Sequence, residues 1–71
     1  MTEKQELIIE KLNNLADAAS ELMHMAVTGE DGNLYEMTYH IKVYSNKIVR
    51  HLLKTWSLNE RVAKRRAEKQ L

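Results

Sequence analysis

Residues 26–36 read AVTGEDGNLYE and hold the only glycines of the chain, Gly29 and Gly32. The chain has no proline, so this is the one place where its backbone meets strong helix breakers. Gly29 suits the left-handed position just past a helix end, where a side chain would clash. Residues 28–33 are therefore expected to form a turn. A connection that short makes the flanking helices antiparallel neighbours. The loop is too short to spread the oxygen ligands of a calcium site. It also lacks the Gly-Lys-Ser/Thr of a phosphate loop.

Upstream of the turn, a first helix is expected over about 3–27. Ile8, Leu12, Leu15, Ala19, Leu22 and Ala26 recur at alternating spacings of four and three, a helical seam widened by Ile9, Ala16 and Met23. Glu3, Glu6, Glu10, Asn13, Asp17, Ser20 and His24 fall on the opposite side. Downstream, a second helix is expected over about 34–56, with Leu34, Met37, Ile41, Tyr44, Ile48 and Leu52 as its seam against the first. The two helices would be nearly equal in length.

Three capping boxes mark helix starts. Thr2/Gln5, Asn33/Glu36 and Ser57/Glu60 each place a small polar residue three before Glu or Gln. The third suggests a break at Trp56-Ser57 and a short basic third helix over about 58–70. Without that break the second helix continues as one rod.

The fold class expected is all-α: an antiparallel helical hairpin with a C-terminal basic helix, a single domain over residues 1–71. A chain of 71 residues gains little from one small core. With no cysteine, disulfides cannot supplement it. Helix 2 also carries more apolar surface than one neighbour can cover. Tyr35, Tyr39, Ile48, Val49, Leu52, Leu53 and Trp56 are therefore expected at an interface with a second copy or another protein, giving a dimeric helical bundle.

The net charge of +1 conceals a division. Residues 1–36 carry eight acids against two bases, and residues 37–71 carry nine bases against two acids. Arg61, Lys64, Arg65, Arg66 and Lys69 cluster in the tail, where they would contact nucleic-acid phosphates or simply complement the helix dipole.

No catalytic, cofactor-binding or metal-ligating set is expected. His40 and His51 are eleven apart, unlike the close spacing of ligands on a metal-binding helix. The serines form no nucleophile elbow, and the acids form a solvated stripe rather than a coupled pair. No apolar run is long enough for a membrane span or a signal-peptide core. The function expected is that of a small cytoplasmic, non-enzymatic regulator that binds another protein as a homodimer. The alternative is a nucleic-acid-binding regulator using the basic tail.

Overall fold

The computed structural model describes residues 1–26 and 32–69, and the expected turn chemistry at Gly29 lies outside them. The described residues form two helices: α1 over Glu3–Met25 and α2 over Gly32–Lys69. They pack against each other as an antiparallel hairpin.

The start of α1 is the expected capping box. The Gln5 amide donates to the Thr2 hydroxyl at 3.2 Å, and the Thr2 amide donates to the Gln5 Oε1 at 2.9 Å. Two otherwise orphaned donors of the first turn are thereby satisfied. At the other end the Ala26 amide closes the last turn onto the Leu22 carbonyl at 3.0 Å.

The other two boxes do not start helices. Asn33 lies inside the first turn of α2, which already includes Gly32. Ser57 is interior to a continuous 38-residue helix, so the expected break and separate third helix are absent, as is the expected match in helix length. A cap contributes about 1 kcal/mol. Ending a helix strands several backbone groups on each side, and no glycine or proline lies between Asn33 and Lys69 to force that loss.

Register follows from one ion pair. The Met1 amino group lies 3.7 Å from the Glu60 carboxylate, so residues of the two helices whose numbers sum to about 60 lie level. At that level α1 ends and α2 continues alone, over 61–69.

The contact between the helices uses small residues. Ala16, Ala19 and Ala26 are buried on α1, and Thr38 and Ser45 on α2. Half-buried Ile9, Leu12 and Met23 extend the α1 strip, and half-buried Lys42, Val49, Leu52 and Trp56 extend the α2 strip. Each strip advances by alternating threes and fours, as two helices lying side by side require. The two buried hydroxyls turn back onto their own helix. Thr38 donates toward the Leu34 and Tyr35 carbonyls at 2.7 and 3.0 Å, and Ser45 to the Ile41 carbonyl at 2.7 Å. A hydroxyl satisfied in this way can sit in an apolar seam at little cost.

The expected seam of α2 is therefore corrected. Leu34, Met37, Ile41, Tyr44 and Ile48 are exposed, about a quarter turn from the strip that meets α1. On α1 the strip is rotated in the same sense, leaving Leu15 49% and Leu22 41% exposed. Spacing alone made either strip a valid helical seam, and the larger side chains pointed to the wrong one. The residues that meet across the hairpin are instead the small ones, a set that permits close backbone approach.

The outcome is a thin single layer, 64 × 18 × 10 Å, with a radius of gyration of 17.8 Å. A compact chain of this length would have about 11 Å. Its accessible surface is 6215 Å², against about 4,600 Å² for a globular monomer of this mass.

Candidate interaction surfaces

At 100° per residue, the outer apolar residues of α1 (half-buried Ile8, exposed Leu15 and Leu22) lie about 70° before its contact strip. Those of α2 (Leu34, Met37, Ile41, Tyr44, Ile48) lie about 90° before its own strip. In antiparallel helices similar offsets of the same sign fall on the same side of the pair. The hairpin thus has one broad apolar face, with Ile8 its only half-buried member. Among the described residues, no large side chain is fully buried anywhere in the chain.

The residues expected at an interface divide three ways. Ile48 stands on the broad apolar face. Val49, Leu52 and Trp56 are half-buried on the strip toward α1. Tyr35, Tyr39 and Leu53 are exposed on the other flank of α2, so no single surface holds the set. The apolar face itself was legible as periodicity but was assigned to the hairpin contact, so Leu15, Leu22, Met37, Ile41 and Tyr44 were missed as candidates for an outer surface.

Polar groups near that face are weakly held. His40 lies 3.9 Å from Glu36 one turn earlier, both exposed, a pairing that contributes little in water. Its ring also stands edge-on to Tyr39, with centroids 5.8 Å apart. A groove of about 240 Å³ is lined by Tyr44, Lys47, Ile48 and His51, and a second of about 230 Å³ by Lys54, Ser57, Leu58 and Arg61. Each is walled by one helix only and falls below the usual volume of a small-molecule site. No group of three or more potential metal ligands occurs among the described residues. Nor is any described helix long and apolar enough to cross a membrane.

The tail cations are placed by the continuity of α2. Arg61, Lys64, Arg65 and Arg66 are exposed on the segment that outruns α1, which Lys69 closes. Because the helix does not break at Ser57, Lys47, Arg50 and Lys54 fall in line with Arg61 and Arg65, within about 60° of arc. The sequence reading missed these three because it stopped the second helix at Trp56.

Comparison with protein-family models, with curated proteins and with solved structures finds no match to this chain.

Proposed function

We propose that this chain is a non-enzymatic interaction protein that acts as a homodimer, two hairpins packing apolar face to apolar face in a four-helix bundle. The observation that carries the reading is the broad apolar face itself, on a hairpin whose own contact, among the described residues, fully buries only alanines and hydroxyls and leaves its large side chains half-covered. Burial of the large side chains would favour turning them toward α1 at about 25 cal/mol per Å². Their outward placement is stable only if something covers them, and a second copy is always at hand. Size supports it. The chain exposes about 1,600 Å² more than a compact monomer would, and a standard interface needs about 800 Å² from each partner.

Such a dimer leaves Tyr35, Tyr39 and Leu53 uncovered on the far side, where a protein partner would dock. The regulatory role rests on that second contact. The absence of cysteine suits a reducing cytoplasm.

Sedimentation equilibrium tests the reading. At micromolar concentration the wild type should behave as a dimer. Ile41→Asp should give a helical monomer, because a lone carboxylate in a covered apolar face is strongly disfavoured. A wild type that stays monomeric to hundreds of micromolar would remove the proposal.

A further inference from the structure

We propose that the back of α2 is a binding ridge for a nucleic-acid phosphate backbone, formed by Lys47, Arg50, Lys54, Arg61, Lys64 and Arg65. All six are exposed. They lie within about 100° of arc on a helix that is continuous between them, along about 27 Å of axis. No acid falls in that arc from Lys47 to Arg65: Glu60 lies about 100° from its centre.

The spacing suits a polyanion. A duplex carries one charge per about 1.7 Å of axis, so the ridge can lie over about sixteen phosphate charges. Beyond Glu60 the ridge continues on a lone helix about 10–12 Å across, slim enough for a major groove about 12 Å wide. Exposed Leu53 and Leu58 stand singly at opposite edges of the arc and form no continuous apolar face of the kind a membrane-bound amphipathic helix inserts. Half of its cations are arginines, whose forked donors match phosphate oxygens. The ridge reads no sequence, since it offers cations alone. It lies about 130° from the apolar face, so it does not depend on dimerisation.

Fluorescence polarisation with labelled duplex DNA and RNA of about two turns (about 20 bp) provides the test. Binding is expected at 50 mM salt with little sequence preference. With six contacts it should weaken about a thousandfold by 200 mM. The variant K47E/R50E/K54E should lose affinity and flatten the salt slope by about 0.9 per lost contact, with sedimentation and helicity unchanged. K47Q/R50Q/K54Q serves as the check should the reversal disturb folding. No binding at 50 mM salt would overturn the proposal. So would full binding by the triple variant, or equal binding to phosphatidylglycerol vesicles or polyglutamate.

Discussion

Ser45 donates its hydroxyl proton to the carbonyl of Ile41, 2.7 Å away, and the two residues belong to different surfaces of one helix. Ser45 is 3% exposed in the seam with α1, while Ile41 is 42% exposed on the apolar face. The bond lets a polar residue hold the seam narrow while a large apolar one looks outward. Ser45→Ala should therefore change stability by less than about 1 kcal/mol, since the hydroxyl bonds only its own helix. Ser45→Leu should cost about 1–3 kcal/mol by forcing the helices apart. Urea melts monitored by circular dichroism distinguish them, and equal shifts would place Ser45 outside the seam.

Ala19, level with Lys42 in the register set by Met1 and Glu60, is 3% exposed. Ala19→Leu is expected to lower stability by about 1–3 kcal/mol through overpacking. Asp17→Ala, on the exposed stripe, should stay within about 0.5 kcal/mol. Comparable effects from both would show that the phase of α1 is misassigned.

Leu15 separates the hairpin from the dimer. In a single hairpin half its surface is wet, so Leu15→Ala should cost a monomer only about 1 kcal/mol. Covered in a dimer, it gives up about 1 kcal/mol more per copy. The dissociation constant should then rise between tenfold and a hundredfold. Dilution series of wild type and variant by sedimentation velocity supply the measurement, and an unchanged constant would take Leu15 out of the interface.

Ser57 reports on helix continuity. A helix cap replaced by alanine loses about 1 kcal/mol, whereas an interior exposed serine replaced by alanine gains a few tenths. Ser57→Ala should thus raise the melting temperature slightly. Thr2→Ala, at a formed capping box, should lower it by about 0.5–2 kcal/mol equivalent. A destabilised Ser57→Ala would restore a break at Trp56-Ser57.

The helical class, the division at the glycine stretch and the first cap were legible because each is a local property: no proline, glycines confined to one stretch, and Thr2 three before Gln5. The acidic stripe of α1 was equally legible, because charges on a helix seek water wherever the neighbours are. The facing of α2 was not. Its two strips, one through Ile41 and Ile48 and one through Ser45 and Leu52, have the same period, and hydrophobicity favours the first. Only the pairing of Ala16 and Ala19 with small partners across the hairpin selects the second, and that is a relation between distant segments. Ser57 misled for a related reason. A capping box is a local offer, and the helix on either side declines it when nothing else stops the chain. The expected interface set scattered because it was drawn as a wide arc on one helix rather than as one side of a pair.

The contact strips of both helices advance two positions for every seven residues. Deleting a single residue from one arm would rotate that arm's small residues beyond the deletion by about 100° out of the seam, whereas excising seven residues from each arm would return like to like. The hairpin is in this sense a zipper with a fixed tooth spacing. Relatives of different length should therefore differ in matched steps of seven, and loss of a lone residue in either arm should be far more damaging than loss of a full repeat from both.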